Sequence, residues 1–151
     1  MIDRDAALAL ELAPLSIEIE RGRLRAFARS IGETDPVYID PEAAHAAGHR
    51  DLLVPPTFFF SMTLESNAPF GYLDSLGVDM RFVLHGEQSF EYFRLAYAGD
   101  LLVLQDRITD VQVKRGGALE LVVKETDVRR GDVVVATASS VVVVKHPEVA
   151  V

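Results

Sequence analysis

Between positions 21 and 31 the apolar residues recur as Leu24, Phe27, Ala28 and Ile31. That i, i+3, i+4, i+7 spacing puts them on one helix face, and it predicts an amphipathic helix over Arg21 to Ile31. Arg21, Arg25 and Arg29 share a stripe turned mostly away from this face. They read as a solvated surface, with contact to a ligand phosphate as the alternative. Just upstream, Ser16 to Glu20 alternates and predicts a short strand. Asp40-Pro41-Glu42 supplies an N-cap, a proline at the first helical position and an acid in the first turn. A short helix should follow to Ala47, with Gly48 as its stop. After Pro55-Pro56, the run Thr57 to Leu64 contains Phe58, Phe59, Phe60, Met62 and Leu64. It leaves almost no polar face and predicts a helix buried all round, ended by Asn67 to Gly71.

The second half changes period. Asp79 to Arg94, Leu101 to Lys114, Leu119 to Arg129 and Val133 to Lys145 are rich in Val, Leu, Phe and Thr. Turn signals separate them at Gly99-Asp100, Arg115-Gly116-Gly117 and Arg130-Gly131-Asp132. These segments predict long strands joined by short connections, an antiparallel meander. One buried apolar helix with such a sheet is an α+β architecture in which the sheet wraps the helix. A sheet of this kind keeps an open edge, so edge-to-edge pairing into a dimer is expected.

Composition adjusts this picture modestly. The chain has 151 residues, 49% hydrophobic and 25% charged, which suits a single domain over 1–151 with an ordinary core. A formal charge of −8 makes nucleic acid and anionic membrane poor partners. The absence of cysteine excludes disulfides, thiolate metal sites and a cysteine nucleophile. Met1 to Leu15 is broken by Asp3, Arg4, Asp5 and Glu11, so no signal peptide is read there. No run approaches the roughly 18 apolar residues of a membrane span. A soluble cytoplasmic protein is the expectation. His45 and His49 stand four apart, a metal-ligand spacing on a helix, but Gly48 should end that helix and no third ligand is near. No metal and no cofactor are expected. Ser61 and Ser139 lack a His/Asp context, and there is no Gly-rich phosphate loop.

The candidate chemistry lies in Gly32-Glu33-Thr34-Asp35-Pro36-Val37-Tyr38, in Pro55-Pro56-Thr57-Phe58, in Leu84-His85-Gly86-Glu87-Gln88 and in Ala98-Gly99-Asp100. Through these segments the chain resembles, over nearly its full length, the MaoC-like dehydratase N-terminal (FAS1-like dehydratase) branch of the hot-dog proteins. The resemblance implies a hot-dog fold and an acyl-CoA or acyl-carrier-protein thioester as ligand. In MaoC-like hydratases the first loop reads Gly-Asp-x-Asn-Pro-(Val/Leu/Ile)-His, and its Asp and His are the acid/base pair. Here Glu33 stands for that Asp, Asp35 for the Asn and Tyr38 for the His. Tyr has an unperturbed pKa of about 10 against about 6.5 for His, so it stays a donor near neutral pH. The family also receives the thioester oxyanion on a backbone N–H at the start of the buried helix. Pro56 falls at or beside that position and has no N–H, unless the turn shifts to present Thr57 instead. Loss of one such donor typically costs about 2.7–4 kcal/mol in the transition state.

In the FAS1-like branch a hot-dog without the Asp/His pair completes the sheet and lines the acyl channel of a catalytic hot-dog. The resemblance therefore implies an acyl-pocket subunit of a β-hydroxyacyl-thioester dehydratase or enoyl-CoA hydratase, paired with a catalytic chain. Glu33, Asp35, Tyr38 and His85 are its candidate catalytic residues, and Pro56, Thr57, Phe58 and Gly86 its candidate substrate contacts. Gly86 interrupts the strand pattern and suggests a bulge or a close backbone approach. His85 and Glu87 flank it, either as a replacement acid/base pair or as polar groups satisfied locally. Three alternatives stay open: a self-sufficient homodimeric hydratase using Glu33, Asp35 or His85; a hot-dog thioesterase using Asp51 or Glu65; and a non-catalytic acyl-thioester binding module.

Overall fold

A computed structural model describes residues 1–149. Asp3 caps a short helix α1 (Arg4–Leu8) by accepting from the Asp5 and Ala6 N–H groups. Strand β1 (Leu15–Glu18) leads into α2 (Arg21–Ser30), whose Leu24 and Ala28 are buried as the periodicity requires. Ile31 lies beyond the last turn and is exposed, so it does not join that face. Asp40 caps α3 (Pro41–Ala46), and Gly48 ends it at φ +88, a conformation glycine adopts without strain. Then come α4 (Phe58–Thr63), α5 (Gly71–Ser75) and the strands β2 (Val83–Tyr92), β3 (Leu101–Lys114), β4 (Leu119–Arg130) and β5 (Val133–Lys145). Asp79 caps a 3-10 turn over Met80–Phe82, so β2 begins four residues later than its sequence pattern suggests.

All pairings are antiparallel, in the order β1-β3-β4-β5-β2. The expected meander therefore holds for β3-β4-β5 and fails for β2, which pairs with β5 at the far edge. The chain between β2 and β3 is too long for a tight hairpin. It crosses the end of the sheet instead, with Phe93 and Arg94 N–H groups bonded to Val135 O and Gly99 N–H bonded to Ile19 O. Helix α4 lies against the sheet. Its Phe58, Phe59 and Met62 pack with Leu102, Leu104, Val128, Val135 and Ala136. This is the hot-dog arrangement. Each of the larger of these buried side chains contributes about 1.5–3 kcal/mol of apolar burial. A second cluster joins α1 and α5 to the other end of the sheet through Ala7, Tyr72, Leu73, Val111, Val122 and Val142.

Helix α4 is shorter and more open than its composition predicts. Phe60, Ser61 and Thr63 are only half-buried, and Leu64, just past the last turn, is 41% exposed. The reason is geometric: residues 58, 59 and 62 face the sheet, while 60 and 64 point toward β2, an edge strand. That edge also leaves Leu84 and Tyr92 exposed. Among the described residues, no helix is long and apolar enough to cross a membrane.

Asp100 anchors the crossing segment. It is 4% exposed and accepts from Tyr97 N–H at 2.9 Å and from Arg130 at 2.9 Å, and it pairs with the Arg50 guanidinium. Burial pushes its pKa up, but the Tyr97 N–H and the two guanidiniums outweigh burial and hold it below the ordinary value of 3.8. A depressed folded pKa gives stability that is present above the unfolded value and lost as pH falls through the folded one. Asp100→Asn should therefore cost about 1–3 kcal/mol near neutral pH, toward the low end because Arg50 and Arg130 are partly exposed. The gap in melting temperature between wild type and variant should narrow below about pH 4. A gap that widens in acid would contradict the assignment.

Candidate functional site

The loop after α2 turns at Gly32, at φ +72, and returns with Glu33 N–H bonded to Ala28 O at 2.9 Å. Glu33 is half-buried, and its Oε1 accepts from both Thr34 N–H and Asp35 N–H at 2.8 Å. Asp35 accepts from Val37 N–H at 3.0 Å and caps the 3-10 turn Pro36–Tyr38. The two carboxylates are thus engaged with their own backbone. Tyr38 lies beside them. Burial raises its pKa, and the charges of Glu33 and Asp35 raise it further. Its phenol is a proton donor at neutral pH, with no tendency to act as a base.

A hydrogen bond from Leu53 N–H to Val37 O at 3.2 Å ties this loop to the segment that enters α4. There Pro55 is buried and Pro56 and Thr57 are exposed. Pro55 O accepts from Phe58 N–H at 2.9 Å, and Pro56 O accepts from the Tyr92 hydroxyl at 3.0 Å. Pro56 offers no N–H. The Thr57 N–H donates to no protein acceptor among the described residues, so it is a free donor at this helix start. Phe58 is buried in the core and lines neither of the cavities described below.

On β2 the register with β5 shifts between His85 and Glu87, a bulge centred on Gly86. A Cβ at this glycine would stand 2.8 Å from Val143 Cγ2 and 3.0 Å from Val141 O. Both readings of Gly86 from the sequence, bulge and close approach, therefore apply. Gly86→Ala should destabilise by about 1–3 kcal/mol through overpacking, read as a lower urea midpoint. An unchanged midpoint would mean that the strand edge absorbs the extra methyl. No hydrogen bond joins His85 to Glu87 among the described residues. The His85 ring instead meets Phe60 edge-on at 5.2 Å.

Two cavities flank Phe60 and His85. One, about 430 Å³, is bounded by Thr57, Ser61, Gln88 and Phe90. The other, about 330 Å³, runs between α4 and β2 and is bounded by Leu64, Phe70, Tyr72 and Val83. The structure thus brings Thr57, Phe60 and His85 together beside the Gly86 bulge. Glu33, Asp35 and Tyr38 line neither cavity. Phe27 of α2 lines the first cavity and meets Phe58 edge-on at 5.2 Å.

The remaining candidates are engaged elsewhere. Asp51 accepts hydrogen bonds from Nε and Nη2 of Arg21, which hold its carboxyl below the usual range, and Glu65 pairs with Arg23. Neither is a free carboxylate for thioester hydrolysis. Arg25 bonds Ile39 O at 2.8 Å, so this arginine has a structural partner. His45 faces Arg50 O at 2.9 Å and His49 faces the Tyr97 hydroxyl at 3.3 Å, each with its own neighbour. Sequence reasoning missed Lys124 and Ser140, which form the floor of the second cavity. The signal was available: Lys124 has the same strand parity as Val122 and Val128, an inward position.

Comparison with known proteins agrees with this geometry. The pattern of the FAS1-like dehydratase domain region matches residues 6–138. A protein of Streptomyces griseus described as UPF0336 is 36% identical over 125 residues, covering 83% of each chain. Among solved structures, a chain of the HadBC (3R-hydroxyacyl-ACP dehydratase) complex of Mycobacterium tuberculosis superposes with a TM-score of 0.75 at 23% identity, covering 95% of this chain and 94% of that one. A chain of the ChsH1-ChsH2 complex from the same organism reaches 0.77 at 20% identity, covering 95% and 93%. At these identities the structural matches speak for the fold.

Proposed function

We propose that this chain, which belongs to the FAS1-like dehydratase family, is the acyl-pocket half of a β-hydroxyacyl-thioester dehydratase, working in either direction beside a second hot-dog chain that supplies the acid/base pair. Dehydration needs a base to take the α-proton and an acid to protonate the leaving β-hydroxyl, so that water departs and the double bond forms. Between these events negative charge gathers on the thioester oxygen and needs an N–H donor. The observation that carries the reading is Tyr38: it stands where the resemblance places the family's histidine, and burial and two carboxylates keep its phenol protonated. The cavities beside Phe60 and His85 are meanwhile of the size and apolar character that an acyl chain needs. In this reading Thr57 N–H takes the oxyanion role that Pro56 cannot.

The open edge of β2 supports pairing with another hot-dog sheet, and the two M. tuberculosis neighbours are by name two-component complexes. Sedimentation should find a dimer at micromolar concentration, either of this chain or with its catalytic partner. A stable monomer under both conditions would count against the reading. The functional test follows loss of enone absorbance from a short enoyl-CoA. Turnover should be weak with the purified chain and should rise when a hot-dog chain with an intact Asp/His loop is added.

A second reading is a self-sufficient homodimeric hydratase using Glu33, Asp35 or His85. What favours it is the position of His85 on the wall of both cavities. Full activity of the chain alone would decide for it. The base would then be the member of Glu33→Gln, Asp35→Asn and His85→Ala whose loss abolishes turnover without lowering the melting temperature.

A further inference from the structure

The cavity between α4 and β2 has mostly apolar walls, with Thr63 and His85 among them, and a charged residue at its floor. Phe60, Leu64, Phe70 and Val83 form the walls, whereas Lys124 and Ser140 close the bottom. Lys124 is 6% exposed and projects from the middle of β4, where Val122 and Val128 of the same parity belong to the core. Its ammonium sits 2.6 Å from Asp106 Oδ2 and 5.4 Å from the centroid of the Tyr72 ring. Asp106 also accepts from the Thr126 hydroxyl at 2.5 Å. Ser140 donates to Gln88 Oε1 at 2.6 Å, which ties the floor to β2. The Tyr72 side chain lines the cavity too. Its hydroxyl donates to no protein acceptor among the described residues, and burial with the nearby Asp106 raises its pKa to about 12.

These groups have donor capacity in reserve. An ammonium carries three N–H donors, and Asp106 takes one of them. Tyr72 adds an O–H. A saturated alkyl chain reaching the floor would strip these donors of water and return no hydrogen bond. An oxygen acceptor in the same place would receive them. The charge of Lys124 is already balanced by Asp106, so an arriving carboxylate would leave an excess negative charge in a dry site. A keto or hydroxyl oxygen brings no such penalty. A simple core requirement does not explain the floor, because an apolar residue at 124 would fill the same space without burying an ion.

Resting on the reading of this cavity as the acyl pocket, we propose that Lys124 and Tyr72 form a specificity floor selecting acyl thioesters whose far end carries a neutral oxygen acceptor, a keto or hydroxyl group, over plain alkyl chains. The floor sets chain length and end-group chemistry together: the acyl chain stops where its oxygen meets the ammonium.

Isothermal titration calorimetry tests this with saturated acyl-CoA thioesters, which cannot be hydrated and so report binding alone. The chain is used in the oligomer it forms. Plain acyl-CoAs of increasing length are each compared with the counterpart bearing a keto group on the penultimate carbon and with the counterpart ending in a carboxylate. At the best length the keto thioester should bind at least about tenfold tighter than the plain one, the effect of roughly one charge-assisted hydrogen bond. Tyr72→Phe keeps the packing and should narrow that preference. The pair Lys124→Met with Asp106→Asn removes both charges and should abolish or reverse it. Plain chains that bind as tightly as their keto counterparts would overturn the specificity floor and leave the acyl pocket standing. A preference for the carboxylate would overturn the selection for a neutral end. Failure of every thioester to bind would overturn both the floor and the pocket.

Discussion

Glu33→Asp combined with Tyr38→His is expected to raise the hydration rate of the chain acting alone by about a hundredfold, the lower end of what a positioned acid/base group contributes. On the proposed reading, two features withhold acid/base chemistry from this loop. Tyr38 is kept protonated by burial and by the charges of Glu33 and Asp35. The Glu33 carboxylate is turned onto the N–H groups of Thr34 and Asp35. The shorter Asp together with an imidazole would restore a pair in which the carboxylate is ionised and the imidazole titrates near neutral pH. The loop is tied to the segment that enters α4 through Val37 O, while positions 33 and 38 themselves line neither cavity. The variant should still fall short of a complete enzyme, because this loop lines neither cavity beside Phe60. Rates come from enone absorbance and folding from the melting curve. A well-folded double variant with no gain would show that this loop is not where the chemistry is missing.

The largest stability effect is expected from Phe58→Ala, at about 3–5 kcal/mol. Phe58 packs among Leu24, Phe27, Leu102 and Val135 in the main core, and truncation leaves a cavity that α2 and the sheet cannot close. Phe60→Ala makes the contrast. Phe60 is half-buried and borders both cavities, so its loss should cost clearly less stability while weakening acyl-thioester binding. Urea denaturation of the two variants side by side gives the answer. Equal costs would mean that α4 is buried all round after all and that the cavities beside Phe60 are closed in solution.

Much of the fold was legible because periodicity reports on burial. The alternation in β3, β4 and β5 and the Leu24–Ala28 face of α2 each follow from one side meeting the core. The Asp40-Pro41 start and Gly48 stop of α3 are local chemistry, which sequence encodes directly. Strand order was not local. Nothing in Val83–Tyr92 itself says that it pairs with β5 and not β3, since that depends on how residues 93–100 cross the sheet. Helices α1 and α5 are too short to build a periodic signal. The open face of α4 escaped for a related reason. Phe60 and Leu64 are as apolar as Phe58, and composition does not tell a core wall from a cavity wall.

The candidate site divides the same way. The residue changes at Glu33, Asp35 and Tyr38 were visible at once, as was the steric need for Gly86. That Glu33 binds its own backbone, that His85 meets Phe60 and not Glu87, and that Lys124 closes a cavity are tertiary facts. Lys124 was the most accessible of these, as a charge on the inward parity of a Val-rich strand.

One measurement bears most directly on the central claim that this chain shapes the pocket while a partner performs the chemistry. The complex with a hot-dog chain bearing the intact Asp/His loop is assembled with wild type and with a Glu33→Gln, Asp35→Asn, His85→Ala variant of this chain, and kcat for enoyl-CoA hydration is compared. With the chemistry supplied by the partner, kcat should be retained, with any change confined to KM because His85 borders both cavities. A collapse of kcat by about a hundredfold or more, in a complex that still assembles and melts like wild type, would place the acid/base chemistry in this chain and contradict the account.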